Sequence, residues 1–330
     1  MAVFTEVGFD AAAALIARLG LGRLTELQPI AAGIENTNYF VVSEREGQRL
    51  DHVLTVFERL SAEQLPFYLE LMRHLARRGL PVPEPQADAE GRILHRLAGK
   101  PAAVVDRLRG KSVMAPQPLH CAQLGTLLAR MHGAVQDFPL QQPNLRGLAW
   151  WEATVPLVRP HLAPEQLALI DAELRFQQAL AASADHAALP RGAVHADLFR
   201  DNAMFDDGPD GPQTRLSGCF DFYFAGCDSF GFDLAVCLND WCIDAATGRL
   251  DPARSEALLA AYEAVRPLGT EERALLPALL RSAAMRFWVS RLWDYHLPRE
   301  AHMLTPHDPR HFERVLRERI ARPWPAAVAA

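Results

Sequence analysis

Lysine is almost missing from this sequence. Of its 34 lysine and arginine residues, only Lys100 and Lys111 are lysines. Any mechanism that needs a lysine must therefore use one of these two positions. Long apolar runs are missing too, because the longest uncharged stretch, residues 112–129, contains two prolines, two glutamines and a histidine. A membrane helix needs roughly 20 apolar residues, so we expect the protein to have no membrane partner.

Cysteine is scarce, and its spacing matches no common motif. The five cysteines are odd in number and form no Cys-x-x-Cys pair, which argues against a disulfide framework or a zinc site. The N-terminus lacks the positive region of a signal peptide and carries Glu6 and Asp10 instead. The net charge of −6 argues against a nucleic-acid-binding surface spread over the protein. We therefore expect a cytoplasmic protein with no nucleic-acid partner.

The sequence does contain enough apolar material for a large folded core. Hydrophobic residues make up 49% of the 330 positions, and chains that stay disordered are poor in such residues. At roughly 100–200 residues per domain, this length predicts two domains, or two lobes around a cleft.

Residues 1–106 are expected to form a small α+β lobe with a mixed β-sheet. Asp10 can cap a first helix over 11–19, and Ser61 with Gln64 fits the capping box of a second helix. Apolar and β-branched stretches on both sides of this second helix predict strands. They cover 30–42 with a polar turn at 33–38, then 52–57, 93–97 and 102–108.

Residues 107–330 are expected to form a mostly helical lobe. Over 119–132, Leu124, Leu127, Leu128 and Met131 lie on one face of a predicted helix. Helices are also predicted over 167–180, 255–265, 271–297 and 308–320. One β insertion over 193–224 interrupts these helices, with a turn-rich stretch between its two strands. The two segments together predict an α+β fold of two lobes, the first based on a sheet and the second helical.

The most informative pattern is H-x-D-x-x-x-x-N at 195–202, followed nineteen residues later by Asp221. Protein kinases carry the same internal spacing, which supplies a base and magnesium ligands for phosphoryl transfer. Asp197 is then the predicted base that takes the proton of the acceptor hydroxyl, and Asn202 and Asp221 are the predicted Mg²⁺ ligands. His195 would fix the catalytic loop. An acidic surface turn with a stray histidine is the alternative, but it does not explain the hairpin that follows.

These motifs resemble those of the aminoglycoside phosphotransferase and choline kinase superfamily, which shares the protein-kinase fold. Within it, the chain resembles the kinase-like homoserine kinases of bacteria. The segments that carry this second resemblance are 33–40, 79–83, 99–102, 195–202, 239–242, 286–291 and 304–309. The resemblance implies ATP and Mg²⁺ as cofactors, and transfer of the ATP γ-phosphate to the hydroxyl of L-homoserine, a step toward threonine. It also implies that Asp233 braces the catalytic loop, and we expect a monomer or a weak homodimer.

The predicted nucleotide-binding part departs from the protein-kinase pattern in two places. The phosphate-covering turn has one glycine, Gly33, and we expect Asn36, Thr37 and Asn38 to present donors to phosphate. An ordinary Asn-rich hairpin would have the same composition. At the place of the strand lysine stands Thr55, and neither lysine of the chain lies on that strand.

Phosphate anchoring therefore needs another cation. Arg59 could reach the phosphates with Glu70 orienting it, but an exposed pair of this kind is equally expected as a surface contact. In this fold the backbone of a linker between the lobes binds adenine, and the resemblance places that linker near Asp106.

The acceptor site must pair the carboxylate and the ammonium of an amino acid. Arg286 and Arg291 are candidates for the carboxylate, because arginine binds carboxylates bidentately. Asp240 or Asn239 is the candidate for the ammonium, and Arg200 could contact either the acceptor or the γ-phosphate. Each of these residues could instead form an ion pair inside the fold.

Alternatives stay open at this point. The acceptor could be another small alcohol, such as an aminoglycoside, choline or methylthioribose. The missing strand lysine also fits a catalytically silent nucleotide-binding protein, although the base and metal positions are intact. His307 and His311 are four residues apart, as two metal ligands on one helix can be, but without a third ligand we expect solvated histidines.

Overall fold

The computed structural model describes residues 5–30, 36–297 and 307–324. It divides into two compact units, the first made of residues 1–109 with 218–220 and the second of 110–217 with 221–330. Over the described ranges, no helix is both long enough and apolar enough to cross a membrane.

The first unit is built on a five-stranded sheet with the order β1-β2-β3-β5-β4. Its strands are β1 (Arg23–Pro29), β2 (Thr37–Arg45), β3 (Gln48–Val56), β4 (His95–Leu97) and β5 (Lys100–Asp106). Every neighbouring pair is antiparallel, so the expectation of a mixed sheet is wrong. The reason is that β1, β2 and β3 are consecutive neighbours, and β5 returns against β3.

The first strand lies earlier than the sequence pattern indicates. A strand was expected near residue 30, whereas β1 ends at Pro29. Only Leu24 of β1 is fully buried, so its polar side chains hide the alternation that would reveal it. On β2 the alternation is clearer, because buried and half-buried residues alternate over its first five positions.

Helix α1 (Phe9–Arg18) shares a buried cluster with the sheet. Leu15 of the helix and Val41 of β2 both belong to this cluster. The helix begins after Gly8, and Asp10 lies inside its first turn without capping it. The expectation that Asp10 is the N-cap is therefore wrong by two positions.

Helix α2 (Leu65–Arg77) follows β3, and its buried face includes Leu69, Met72 and Leu75. The expectation that Ser61 and Gln64 form its capping box is wrong, because the N-cap is Gln64 itself, and the hydrogen bond from the Ser61 N–H to the Gln64 side chain at 3.1 Å lies in the turn before the helix.

The second unit is mostly helical, as the apolar periodicity predicts. Its helices are α3 (Pro118–Ala134), α4 (Leu148–Val158), α5 (Pro164–Ala181), α6 (Ala184–Ala187), α7 (Phe230–Trp241), α8 (Pro252–Val265), α9 (Thr270–His296) and α10 (Arg310–Ala321). The sequence did not indicate α4, because nearly all of its residues are apolar and it contains Pro156. The remaining strands are β6 (Arg191–Val194), β7 (Ala203–Gly208), β8 (Gly211–Cys219) and β9 (Gly226–Ser229).

Two short strands position the loop that carries the motif. Strands β6 and β9 pair antiparallel, with Val194 opposite Gly226, and the loop begins directly after Val194. Helix α7 begins after Ser229, whose hydroxyl accepts a hydrogen bond from the Phe232 N–H at 3.3 Å. The strand pair therefore brings the loop and the start of α7 into one compact arrangement.

Candidate active site

The loop 195–202 has a strained backbone that a buried carboxylate holds in place. Ala196 has a φ of 61°, a conformation that residues with a side chain rarely adopt. The backbone N–H groups of His195 and Ala196 donate to the carboxylate of Asp233 at 3.0 and 2.7 Å. Asp233 is fully buried on α7. The hydrogen bonding expected of a bracing aspartate is therefore present.

The side chain of His195 supports this loop from inside. It is fully buried, and its Nδ1 accepts a hydrogen bond from the Asp197 N–H at 3.3 Å. Its ring also contacts that of Phe222, with 4.5 Å between centroids. His195 thus links the loop to the turn that follows Asp221.

Asp197 lies in an environment that disfavours its charge. Its side chain is 16% exposed, and burial raises the pKa of its carboxyl to about 8. This value includes the nearby carboxylates of Asp221, Asp201 and Asp240, which add to the rise, and the Arg286 guanidinium, 3.5 Å away, which opposes it. A carboxyl with a raised pKa is a stronger base, and added positive charge would favour its ionised form.

Asn202 and Asp221 supply oxygen atoms next to this base. The Asn202 amide nitrogen donates to the Asp197 carbonyl at 2.8 Å, so its amide oxygen is the atom that can face a cation. Asp221 has a φ of 67°, another left-handed position, and its carboxylate is close enough to raise the pKa of Asp197.

This donor set fits magnesium bound together with phosphate oxygens. In the part of the chain that the structure describes, no group of three or more His, Cys, Asp or Glu side chains could hold a metal. Magnesium in nucleotide-dependent enzymes commonly uses one or two carboxylates and completes its shell with phosphate and water. One carboxylate and one amide oxygen beside a second carboxyl are donors of this type.

The structure pairs two of the predicted substrate residues with each other. The Arg200 guanidinium donates to Asp240 at 3.1 and 3.2 Å, and the Arg200 backbone N–H donates to it at 2.8 Å. Arg200 also donates to the carbonyl of Met114 at 3.1 Å. The Asp240 carboxylate is thus occupied by Arg200, and the pair fastens the loop to α7.

Asn239, the other candidate for the ammonium, lies in the core. It is fully buried, donates to the Leu280 carbonyl at 2.7 Å and accepts from Arg319 at 2.8 Å. This environment favours a structural role for Asn239.

Arg286 and Arg291 of α9 lie on one aromatic cluster, formed by Phe199 of the loop, Phe287 and Phe312. The Arg286 guanidinium is 3.7 Å from the centroid of Phe287, and that of Arg291 is 4.4 Å from the centroid of Phe312. The spacing of five along the helix does not require this, because such residues need not share one face. The cluster brings both cations to the loop that carries Asp197.

Arg291 differs from Arg286 in its partners. Arg286 faces Asp197, whereas Arg291 stacks on Phe312 and makes no hydrogen bond or ion pair with another described residue. Burial lowers the pKa of Arg291 to about 10, so it stays charged at neutral pH. A partly buried cation of this kind is suited to a ligand carboxylate.

His311 is not the solvated histidine that the sequence suggested. It is half-buried, and burial with the nearby charges of Arg291, Arg314 and Arg200 lowers its pKa to about 4. His307 is exposed, as expected. The segment 304–306, which belongs to one of the motifs, lies outside the described residues.

In the first unit, Gly33 lies outside the described residues, whereas the first residues of β2 are held by side-chain hydrogen bonds. Thr37 donates to Glu58 at 2.6 Å, and the hydroxyl of Thr55 donates to the side chain of Asn38 at 2.8 Å. Glu58 also pairs with Lys100. Sequence reasoning missed Glu58, whose only signal is its charge one residue beyond Phe57.

The other predicted nucleotide-binding residues of this unit are placed as follows. Asn36 is buried. Asp106 accepts hydrogen bonds from the Gln86 side chain at 2.8 Å and from the Glu84 N–H at 3.2 Å. Arg59 is exposed, and Glu70 pairs with Arg73 at 2.6 Å, so the expected Arg59–Glu70 pair is absent among the described residues.

Two carboxyl groups and an amide oxygen on one loop and its following hairpin are the set of side chains that a kinase-type phosphotransferase uses. The chain belongs to the phosphotransferase enzyme family, whose sequence model matches residues 26–268.

Relatives of this chain match it along almost its whole length. The homoserine kinase of Polaromonas naphthalenivorans is 63% identical over 324 residues, which cover 98% of this chain and 99% of that one. The homoserine kinase of Cupriavidus necator is 56% identical over 320 residues, which cover 97% and 96%.

Among solved structures, an amicoumacin kinase in complex with AMP-PNP and Ca²⁺ matches with a TM-score of 0.65 at 18% identity, covering 90% of this chain and 89% of that one. The predicted α+β kinase-like fold is thereby confirmed.

Proposed function

We propose that the protein transfers the γ-phosphate of ATP to the side-chain hydroxyl of L-homoserine, with Mg²⁺ as cofactor. The observation that carries the proposal is the constellation of Asp197, Asn202 and Asp221 in a chain that is 63% identical to a homoserine kinase over 324 residues. A base with two oxygen ligands close by is what phosphoryl transfer to an alcohol requires.

The chemical step begins at Asp197. The hydroxyl oxygen of the acceptor bonds to the γ-phosphorus, the bond to ADP breaks, and Asp197 takes the hydroxyl proton. Asn202 and Asp221 would hold Mg²⁺, which supplies positive charge to the phosphate oxygens when bound. The raised pKa of Asp197 makes it a good proton acceptor once such charge has favoured its ionised form.

Two charged side chains of the second unit are the proposed partners of the carboxylate and the ammonium of homoserine. We propose that Arg291 binds the carboxylate of homoserine. Its guanidinium stacks on Phe312 and forms no ion pair with a described residue. Because Asp240 is held by Arg200, we assign the ammonium to Asp201 instead. Its side chain is exposed, four residues after the base, and its charge acts on Arg291.

Three other residues of this region hold the catalytic loop. Arg286 keeps Asp197 in place from 3.5 Å, and the Arg200–Asp240 pair fastens the 3₁₀ turn that ends in Asn202. These roles are positional and require no contact with the acceptor.

We propose that phosphate binding uses the turn that includes Gly33, Asn36, Thr37 and Asn38. Support comes from the register of β2 and β3, in which Asn38 and Thr55 are paired. The Thr55 hydroxyl donates to the Asn38 side chain at 2.8 Å. Glu58 holds Thr37 and Lys100 together at the base of the turn. The linker near Asp106 is the proposed adenine-binding segment.

We further propose that the protein acts in the cytoplasm as a monomer or weak homodimer, on a step toward threonine. The net charge of −6 supports the absence of a nucleic-acid partner, as positive surfaces attract nucleic acids.

The test is a steady-state screen of ATP consumption with homoserine, choline, methylthioribose and kanamycin as acceptors. We expect turnover with homoserine alone. Asp197→Asn is the control, because it keeps the shape of the site and removes the base. Turnover with choline or kanamycin but not with homoserine would contradict the proposed acceptor, and no turnover with any of them would favour a silent nucleotide-binding protein.

A further inference from the structure

Asp233, which holds the catalytic loop, is one end of a longer buried polar chain. It accepts the N–H groups of His195 and Ala196 at 3.0 and 2.7 Å, and its Oδ2 lies 3.1 Å from Nε2 of His132. The left-handed conformation of Ala196 is energetically unfavourable for a residue with a side chain. The position of the Asp233 carboxylate therefore decides whether the loop keeps its shape.

The chain continues from His132 through α8 to the start of α9. His132 Nδ1 lies 2.7 Å from the hydroxyl of Tyr262. The Arg266 guanidinium donates to that hydroxyl at 3.1 Å and to Glu272 at 2.8 Å. His132, Tyr262 and Asp233 are at most 1% exposed. Water therefore cannot replace any link between the loop and Tyr262.

Charge fixes the direction of every hydrogen bond in this chain. Burial would raise the pKa of Asp233, but the hydrogen bonds that its carboxylate accepts from the His132 side chain and the Ala196 N–H act to lower that pKa, so the carboxylate is ionised and can only accept. Burial lowers the pKa of His132, so its ring is neutral and has one N–H, which must lie on Nε2. Nδ1 is then an acceptor, and the Tyr262 hydroxyl must donate to it. Arg266 donates to Tyr262, so every link points from the cation toward the carboxylate.

Gly125 allows α3 and α8 to come close enough for this contact. A Cβ at this position would lie 2.2 Å from the carbonyl oxygen of Leu258 and 3.2 Å from the backbone nitrogen of Tyr262. Gly125 lies two turns before His132 on the same face of α3, and Leu258 one turn before Tyr262 on α8. The glycine therefore sets the helix separation at which the ring meets the hydroxyl.

We propose that Tyr262 is a positioning residue for phosphoryl transfer: it holds His132 in the Nε2–H tautomer and thereby keeps Asp233 and the catalytic loop in the reactive geometry. This inference rests on the proposed kinase function. Among the described residues, the Tyr262 side chain forms hydrogen bonds with His132 and Arg266 alone, so its effect on the reaction passes through His132 and Asp233.

Tyr262→Phe tests this directly, because it removes one oxygen atom and keeps the ring. We expect kcat with homoserine to fall roughly tenfold, which is the rate equivalent of about 1.4 kcal/mol and the size of one net hydrogen bond. The KM values for ATP and homoserine should stay within twofold, since no contact with either substrate is lost. The matched control is Ser282→Ala, which also removes a buried hydroxyl donor, here one that lies 2.5 Å from Gln177, and should leave kcat unchanged.

A double variant separates this positional role from general destabilisation. If Tyr262 acts through His132, Tyr262→Phe should lower kcat little further when combined with His132→Phe, because residues of one network are not additive. Independent, additive losses would overturn the proposal. So would a kcat of Tyr262→Phe within twofold of the unaltered protein.

Nitrogen-15 NMR of the histidine rings provides a readout that needs no activity. We expect His132 to be neutral with its proton on Nε2 between pH 7 and 8, and to lose this single tautomer in Tyr262→Phe. A proton on Nδ1 in the unaltered protein would overturn the proposed chain. If the unaltered protein does not phosphorylate homoserine, the proposed function fails, and the NMR result still decides on the tautomer that Tyr262 imposes.

Discussion

Asp197 should make the protein less stable as the pH rises, and its replacement should reverse that trend. Burial raises the pKa of its carboxyl from 3.8 to about 8, so the folded protein keeps a proton that the unfolded chain releases above about pH 4. Between these values, unfolding releases a proton, and the free energy of unfolding falls with increasing pH. Asp197→Asn has the neutral shape at every pH and escapes this loss.

The magnitude follows from the pKa shift and its surroundings. At about 1.4 kcal/mol per pKa unit, the full shift sets an upper limit of about 6 kcal/mol on the gain. The Asp197 side chain keeps 16% of its surface exposed, so nearby water screens part of its charge, and we expect a gain of about 1–2 kcal/mol at pH 8, the upper part of the usual range for one stabilising substitution.

Urea unfolding at pH 4.5 and pH 8, followed by circular dichroism, measures this difference. The variant should match the unaltered protein at pH 4.5 and exceed it at pH 8, while its turnover falls roughly 10²- to 10⁴-fold with MgATP binding retained. Equal stability differences at both pH values would show that Asp197 ionises normally and would refute the reasoning.

Three further changes test separate parts of the account. Asp221→Ala should raise the Mg²⁺ concentration that gives half-maximal rate. Asn202→Ala should raise it less, because a carboxylate binds the cation better than an amide. A magnesium titration that is unchanged in both variants would place the metal elsewhere. Arg291→Ala should raise the KM for homoserine at least tenfold at constant KM for ATP, whereas the exposed Arg317, which pairs with Glu313 at 2.8 Å, should tolerate alanine without a change in either constant. Arg319 is 2% exposed and donates to Asn239 and to the Gly248 carbonyl. Arg319→Ala should therefore lower the free energy of unfolding, measured by urea unfolding, by about 2–3 kcal/mol. A loss below half of that would mean that water replaces these hydrogen bonds.

The grouping of the motif residues could be predicted because it depends on local spacing. Asp197 and Asn202 lie on one short loop, and a single hairpin returns Asp221 to it. Helix α9 could be predicted as well, since its 27 residues contain no glycine and a single proline, Pro277. In both cases the determining residues are close along the chain, so the pattern needs no knowledge of the tertiary structure.

The partners of the charged residues could not be predicted in this way. Arg200 and Asp240 are 40 residues apart, and each alone suits a substrate as well as it suits the other. Glu58 pairs with Lys100 across 42 residues, which only the β3–β5 pairing reveals. Which cation meets which carboxylate is decided by packing between distant elements, and Arg291 stands out only after the other pairs are assigned.

The most direct measurement is the identity of the phosphorylated product. Purified protein is incubated with ATP, Mg²⁺ and L-homoserine, and the mixture is analysed by phosphorus-31 NMR and mass spectrometry beside the Asp197→Asn variant. The account predicts one equivalent of O-phosphohomoserine for each ADP formed, and almost none with the variant. ADP formed without this ester would contradict homoserine as the acceptor. Equal yields from the variant would contradict Asp197 as the base that takes the proton of the homoserine hydroxyl.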